Sequence, residues 1–510
     1  MKTSITLSFL RQKNTFFTAA IVIGLIFAIT GCGSTIKQRK FPSNITPEIN
    51  NVTTSVTAIP PGDAYKTVIV LEAEGLASTD KCEWDVPSAK FVVSESDLTE
   101  IAEPDACMVY ATFPGAGPAH GSVRAFNGYN YSQWKDFLVG YDPPTRSVSL
   151  TRNPYVQNCA QTSLEIIWHT DIDSVGIVGL GTTPDAEEIF AVESASGTEH
   201  TASFSGLTEG TTYYYKVYAD GVRLAYGDTA HTNPDGEAAF VFAVLGDSGA
   251  GGDIQHDVAD VMEFMNPDFI LHTGDVVYQT GAAEDYPAKF FDPYQNLIKF
   301  VCMYPTLGNH DQKTDNGAPY LDVFHLPDNG SPDPQDWETY YSFTYGDALF
   351  MSLHSQSDVY PAGLFEEGSR QREWFESTVS ASDKKWKIVF FHRPPYSVGR
   401  YAPGDDNMQQ YAAPLFDQYN IDLVLAGHEH NYQRFYPIRN HQKSDDGPLY
   451  IVTGGGGMFL YGQEVDDDER LAVFAAEYHA VKITVDGDTL TGEAIARDYR
   501  TIDTFSITKK

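Results

Sequence analysis

Apolar positions recur along this chain with two rhythms, and the change between them follows the turn NPDG at 233–236. From 61 to 143, short apolar runs alternate with turn residues, as in KTVIVLEAEG, MVYATF and GSVRAF. Runs of that length between turns predict strands, and their close spacing predicts a β-sandwich domain with an Ig-like pattern. DPPTRS at 142–147 marks a boundary. The stretch 148–232 repeats the rhythm with SLEIIWHT, TASFSGL and TTYYYKVYAD, and predicts a second all-β unit. After NPDG, AAFVFAVLG is a continuous apolar run, as expected of a strand covered on both faces. DIQHDVADVMEFM then places Ile254, Val258, Met262 and Met265 on one helical face. DFILHT returns to strand, WKIVFF and IDLVLA bracket the helix-like DNMQQYAAPLFDQY, and GPLYIVT and a hairpin around DGD at 486–488 close the chain. Strand–helix–strand alternation over 238–505 predicts an α/β domain with a β-sheet core flanked by helices. The expected fold class is multidomain: β-sandwich domains followed by one large α/β domain.

The N-terminus stands outside this scheme. Lys2, Arg11 and Lys13 precede the apolar run FFTAAIVIGLIFAITG, which ends at Cys32. Basic, then apolar, then small residues is the order of a secretory signal, here 1–32. The run is short for a membrane-spanning helix, which needs about 20 residues. Its ending, ITGC, resembles a bacterial lipobox. That resemblance implies cleavage before Cys32 and a lipid on its sulfur; an ordinary signal peptide and an uncleaved anchor are the alternatives. Gly33 rather than Asp follows, so nothing signals retention at an inner membrane. The expectation is an exported lipoprotein of the cell envelope, at the outer membrane or cell surface, held by its N-terminal lipid. Residues 33–60, rich in Thr, Ser, Asn and Pro, read as a polar linker.

Export permits disulfides. Cys82 and Cys107 are near neighbours in sequence and candidates to pair, whereas Cys159 and Cys302 fall in different domains and read as buried thiols. The 510 residues, 42% hydrophobic and 20% charged, suffice for a sizeable core. A net charge of −35 repels nucleic-acid phosphates, so no nucleic-acid partner is expected.

The candidate chemistry lies just beyond the apolar strands of 238–505. FAVLG is followed by Asp247, and DFILHT by Gly274, Asp275 and Tyr278. MYPTL is followed by GNHD at 308–311, VFF by His392, and VLA by GHEH at 427–430. One Gly-Asp after a strand is usually a turn, and one His a hydrogen-bonded core residue. Five strand ends each offering O or N ligands point to one site, because open α/β sheets bind ligands beyond the carboxyl ends of their strands. Carboxylates, an amide oxygen and imidazoles together suit Zn, Mn or Fe ions. Gly246, Gly274, Gly308 and Gly427 let the backbone turn sharply and approach closely. A carboxylate that bridges two ions, roughly 3.5–4 Å apart, allows ester polarisation and brings the pKa of a bound water towards 7.

The blocks D-x-G, G-D-x-x-Y, G-N-H-D, V-x-x-H and G-H-x-H resemble those of the calcineurin-like metallophosphoesterases, and the Tyr of the second block resembles the purple acid phosphatase branch. The likeness covers 148–505, with VTGGGG at 452–457 and YQRFYP after the last His also fitting. It implies a fibronectin type III-like sandwich over 148–232 and a metallophosphoesterase catalytic domain over 238–505. It implies two metal ions: Fe(III) on Asp247, Asp275, Tyr278 as phenolate, and His430; and Zn, Mn or Fe(II) on Asp275, Asn309, His392 and His428. It makes His310 the group that contacts substrate phosphate and assists the leaving group, a role that suits an imidazole. Asp311 is expected to orient His310. Arg393 and Arg434, beside ligands, are candidates to grip phosphate oxygens bidentately.

One departure stands out. Where many relatives carry one or two further His in the loop after V-x-x-H, this chain reads HRPPYSVGRYAPGDD, with Arg400 and Tyr401 near that place as substrate-binding candidates. The expected function is an acid phosphatase that acts on small phosphate monoesters through a metal-bound hydroxide. The alternatives are a phosphodiesterase or nucleotide pyrophosphatase with the same site, and a surface binding protein whose catalysis has lapsed. Seven filled ligand positions argue against the last.

Overall fold

The computed structural model of the protein describes residues 51–509 apart from 59–66, 75–80, 86–89, 95–96, 102–107, 114–118, 127–134, 140–147, 185–188, 193–195, 220–221 and 357–364. The expected signal segment, its lipobox and Cys32 lie outside the described residues, as does Cys107. Cys82 is disulfide-bonded. Among the described residues no helix is long and apolar enough to cross a membrane.

Over 51–139 the backbone forms a five-stranded and a three-stranded sheet. The first strand, Asn51–Ala58, pairs antiparallel with Thr67–Glu74, so pairing starts within the stretch read as a linker. Its sequence, NVTTSVTA, is polar on average but rich in β-branched Val and Thr, which suit a pleated surface without giving an apolar run. Residues 150–231 form a three-stranded and a four-stranded sheet, each antiparallel. Their inward faces, among them Ile166, Trp168, Tyr213, Tyr215 and Val217, are fully or almost fully buried.

The C-terminal domain is built on two sheets, where the alternation in sequence suggested one. In the first, β1 (Phe240–Leu245), β2 (Phe269–His272) and β3 (Cys302–Pro305) run parallel, and β1 also pairs antiparallel with His479–Asp486. In the second, β4 (Trp386–Phe391), β5 (Leu423–Ala426) and β6 (Leu449–Thr453) run parallel. Phe242 and Phe269 of the first sheet meet Phe350 of the second edge to face, with ring centroids 5.1–5.3 Å apart. Residues β1–β6 are nearly all buried, which is why they read as uninterrupted apolar runs.

Helix α1 (Asp253–Met265) buries Val258, Met262 and Met265 as expected. Ile254 is only half-buried, and Gln255 takes the inward place beside it. Gln255 is paired there: its amide donates to the Lys289 carbonyl at 2.7 Å and accepts from the Gly251 N–H at 2.8 Å. A polar side chain with both functions satisfied is tolerated inside. The helix stops where Asn266 adopts a left-handed φ of 49°.

The all-β segment and the α/β domain share one continuous core. The Tyr155 hydroxyl donates to the Val323 carbonyl at 3.0 Å, Tyr215 to Lys299 at 2.7 Å, and Tyr304 back to Cys159 at 2.7 Å. Cys159 and Cys302 are buried free thiols as expected, and they meet at this seam, with the Cys159 N–H 3.4 Å from the Cys302 sulfur.

His479 links the two sheets. Its Nδ1–H donates to the Glu477 carbonyl at 2.8 Å, and its Nε2 accepts from the Thr453 hydroxyl at 3.0 Å. Burial lowers its pKa to about 4, so the folded protein holds it neutral. An unfolded His titrates near 6.5, so below that pH the unfolded state takes up the proton first. Stability is therefore full above pH 6.5 and falls as pH drops towards 4. One such group costs about 2 kcal/mol at pH 5. In denaturant titrations from pH 7 to 5, His479→Gln should flatten the acid loss of stability by about that amount. Parallel acid limbs for the two proteins would mean that His479 is not held neutral.

Candidate metal centre

The seven expected ligands come from loops at the carboxyl ends of β1 to β5, and the structure brings them together. Asp247 follows β1, Asp275 and Tyr278 follow β2, Asn309 follows β3, His392 follows β4, and His428 and His430 follow β5. Asp247, Asp275 and His392 have ligand atoms that all lie within 4.8 Å of one another, and all three residues are buried. Asp247, Asp275 and His428 adopt φ of 55°, 56° and 70°. Non-glycine residues rarely adopt this left-handed backbone, and such outliers gather at functional sites. Two glycines make the crowding possible. A Cβ on Gly308 would lie 2.1 Å from the Asp275 nitrogen, and one on Gly274, itself at φ 91°, would lie 2.8 Å from His392 Nδ1.

The hydrogen bonds show which atoms face inward. His392 Nδ1 lies 2.9 Å from the Thr273 carbonyl and His430 Nδ1 lies 2.8 Å from the Phe459 carbonyl, so each of these nitrogens carries the proton. The lone pair of His392 Nε2 then points at Asn309 Oδ1 (3.1 Å), His428 Nδ1 (3.2 Å) and Asp275 Oδ2 (3.4 Å). That of His430 Nε2 points at the Tyr278 hydroxyl (3.0 Å) and Asp247 Oδ1 (3.4 Å), while the hydroxyl donates to Asp247 Oδ1 at 2.9 Å. Lone pairs converge on lone pairs with too few protons between them. An arrangement of this kind fits cations.

The electrostatics agree. Burial opposes charge on His392, yet Asp275 and Asp247 raise its pKa to about 9, so without an ion a proton takes the inward place on Nε2. The site calls for positive charge at that point. Burial works against Asp275 too, but His392 and His310 hold its carboxyl well below the usual range. Burial, then Asp247 and Asp275, drive the Tyr278 phenol well above its ordinary value, so only a bound cation would make it a phenolate. The donor set of O and N atoms suits transition metals.

His310 stands at the edge of the centre. Its Nδ1 lies 2.7 Å from the Gln279 carbonyl, its Nε2 4.0 Å from Asp275 Oδ2, and its ring packs on Tyr278 at 4.3 Å. Asp311 does not orient it. That carboxylate is fully buried and accepts the N–H groups of Val276 (3.2 Å), Val277 (3.1 Å) and Gly308 (2.9 Å), tying the loop after β2 to the loop after β3. Arg434 is also elsewhere: it forms a two-pronged pair with Asp503 at 2.6 and 3.1 Å, so its fork is occupied. Arg393, Arg400 and Tyr401 do gather, with His428, around one cleft. Tyr401 stacks on the His428 ring at 4.2 Å.

Two residues that the sequence reading passed over belong to this site. Glu429, inside G-H-E-H, is fully buried and accepts the Ser397 hydroxyl (2.6 Å) and the N–H groups of Tyr401 (2.6 Å) and Arg400 (3.0 Å). It fixes the loop that carries Arg400 and Tyr401. Its place between two ligands was a usable signal. Tyr461 stacks on His430 at 4.1 Å, and no local motif marks it.

Residues 240–432 match the family model described as calcineurin-like phosphoesterase. An uncharacterized protein of Mycobacterium tuberculosis is 29% identical over 359 residues, 58% of this chain and 67% of its own length. Purple acid phosphatase 18 of Arabidopsis thaliana is 24% identical over 337 residues, covering 61% of this chain and 72% of its own. Among solved structures, a purple acid phosphatase from yellow lupin (Lupinus luteus) seeds superimposes with a TM-score of 0.62 at 15% identity, over 90% of this chain and 95% of that one, which shows a shared fold. Residues 240–432 therefore form a metallophosphoesterase domain of the calcineurin-like type. Within that class it is a purple acid phosphatase-like hydrolase, and the family implies a dinuclear metal centre.

Asp311→Ala removes the acceptor of three buried N–H groups. It should lower folding stability by about 3 kcal/mol or more in denaturant titration, since each buried N–H left without a partner costs about 1–3 kcal/mol. Unchanged stability with a lowered kcat would restore the role the sequence suggested, orientation of His310.

Proposed function

We propose that the protein is an exported acid phosphatase that hydrolyses small phosphate monoesters at a two-metal centre and is tethered to the envelope by a lipid on Cys32. The observation that carries the catalytic part is the convergence of Asp247, Asp275, Tyr278, Asn309, His392, His428 and His430, with the outer N–H groups of His392 and His430 spent on carbonyls. In this reading Asp247, Asp275, Tyr278 and His430 hold Fe(III), and Asp275, Asn309, His392 and His428 hold Zn, Mn or Fe(II). When bound, the two ions supply Lewis acidity that draws charge from the ester and lowers the pKa of water.

The remaining steps belong to the chain. Arg393 and Arg400 hold phosphate oxygens at the cleft beside His428. With no His in the loop that carries Arg400 and Tyr401, His310 is the proton donor to the leaving oxygen, through the Nε2 that faces the centre. An Arg cannot take that role, because it keeps its proton near neutral pH. The preceding segments complete the proposal: 51–139, which includes the strand Asn51–Ala58, as an Ig-like sandwich and 148–232 as a fibronectin type III-like one, ahead of the catalytic domain at 238–505. The ITGC ending at Cys32 supports the lipid tether, and Cys82 in a disulfide is consistent with export.

Purified protein should carry close to two transition-metal ions and turn over a generic aryl phosphate, and His310→Ala should cut kcat by roughly 10²–10⁴-fold. Metal-loaded protein without turnover would overturn the enzymatic reading. Tyr278→Phe should abolish a broad visible absorption; a mutant that keeps the band has another iron ligand. Cys32→Ser should move the protein from the membrane fraction to the soluble one, and retention at the membrane would overturn the lipid tether.

A further inference from the structure

Beside His428 the centre opens into a cleft of about 710 Å³. That volume lies in the range of pockets that enclose whole organic ligands, far more than a phosphate group needs. Its walls have three kinds of chemistry. Arg393 and Arg400 are cationic and stand with the metal ligand His428. Tyr401 and Tyr411 are aromatic. Asp406 and Gln410, from the helical segment beyond the loop, present exposed acceptors.

Tyr401 is the informative member. The residue is 42% exposed, one of few large hydrophobic residues so exposed among the described residues. It is not free to swing: one face rests on His428, and the N–H groups of Arg400 and Tyr401 are both anchored on the buried Glu429. A fixed, half-exposed ring at the mouth of a reaction centre is a stacking plate. Such plates take planar rings at little entropic cost because the ring is already ordered.

Asp406 supplies the second constraint. Asp405 beside it is spent on the N–H groups of Asn407 and Met408, both at 3.0 Å, where the helical segment begins. The Asp406 carboxylate, exposed in the cleft, repels a second phosphate or any anionic leaving group and accepts from hydroxyls and amines. The Gln410 amide both donates and accepts.

We propose that this cleft is the leaving-group site and that it takes a nucleoside, so the preferred substrates are nucleoside monophosphates. The inference rests on the phosphohydrolase reading above. A planar ring for Tyr401, hydroxyl and amine donors for Asp406 and Gln410, and no charge beyond the one phosphate are the properties of a nucleoside ester. Water adds to phosphorus, the bond from phosphorus to the ribose oxygen breaks, and that oxygen leaves with a proton as the free nucleoside, with inorganic phosphate as the other product.

The test is kcat/KM for the metal-loaded protein on adenosine 5′-monophosphate, phenyl phosphate, glycerol 2-phosphate and fructose 1,6-bisphosphate. The nucleotide should exceed glycerol 2-phosphate by about tenfold or more, the scale of one stacked base. Tyr401→Ala should collapse that ratio through KM, and Tyr401→Phe should keep it. Asp406→Lys should raise the bisphosphate relative to the nucleotide. No turnover of any ester would overturn the phosphohydrolase reading. Turnover with equal values for nucleotide and glycerol 2-phosphate, or a ratio unmoved by Tyr401→Ala, would overturn the nucleoside site alone. Phenyl phosphate preferred over the nucleotide would assign the plate to aryl esters and overturn the nucleoside assignment.

Discussion

Two buried carboxylates set the terms for this structure. Asp247 and Asp275 are almost fully inaccessible and share one small volume with His392. Burying an ion costs several kcal/mol unless opposite charge or strong hydrogen bonds offset it. Part of the offset is local: Asp247 accepts the His428 N–H at 2.8 Å and Asp275 the His310 N–H at 2.8 Å. These bonds require loops from four different strands to reach the same point, which in turn requires left-handed turns and glycines packed against neighbouring backbone. The rest of the offset must be cationic. The carboxylate pair thus explains both the contorted backbone at the strand ends and the affinity for metal.

The same logic distinguishes the site from the surface around it. The whole chain carries a net charge of −35, which on its own would hold phosphate esters away. Screening confines that repulsion to about 8–10 Å at ordinary salt. Close to the ligands, Arg393 and Arg400 at the cleft and the Lys313 ammonium, 2.8 Å from His310 Nδ1, supply local positive charge. The acidic exterior and these local cations are compatible because they act over different lengths.

Much of the centre could be read from the chain because each ligand block is short, contiguous and placed just after an apolar strand. Five local signals in fixed order needed no knowledge of three-dimensional contacts. The strands themselves were legible for the same reason, being buried on both faces. What escaped depends on distant residues. Whether β1 to β6 form one sheet or two is decided by the rings of Phe242, Phe269 and Phe350 meeting between them, which no periodicity encodes. Asp311 follows His310 in sequence, yet its oxygens are claimed by N–H groups more than thirty residues away. Arg434 sits close to a ligand in the chain but is captured by Asp503. The strand Asn51–Ala58 was missed because Thr and Ser made it look like a tether.

The continuous core between the all-β segment and the α/β domain makes the connection at 233 a weld. Asn233 itself donates to the Cys159 carbonyl on one side and the Thr344 carbonyl on the other, at 3.2 and 3.0 Å. Cutting there would leave Phe291, Tyr304 and Val323 without their cover. The all-β segment is thus part of the enzyme's scaffold. Through Cys159 it is packed on Cys302 and Tyr304 of β3, the strand that leads into Asn309, so the position of that candidate ligand is set partly by residues outside the α/β domain.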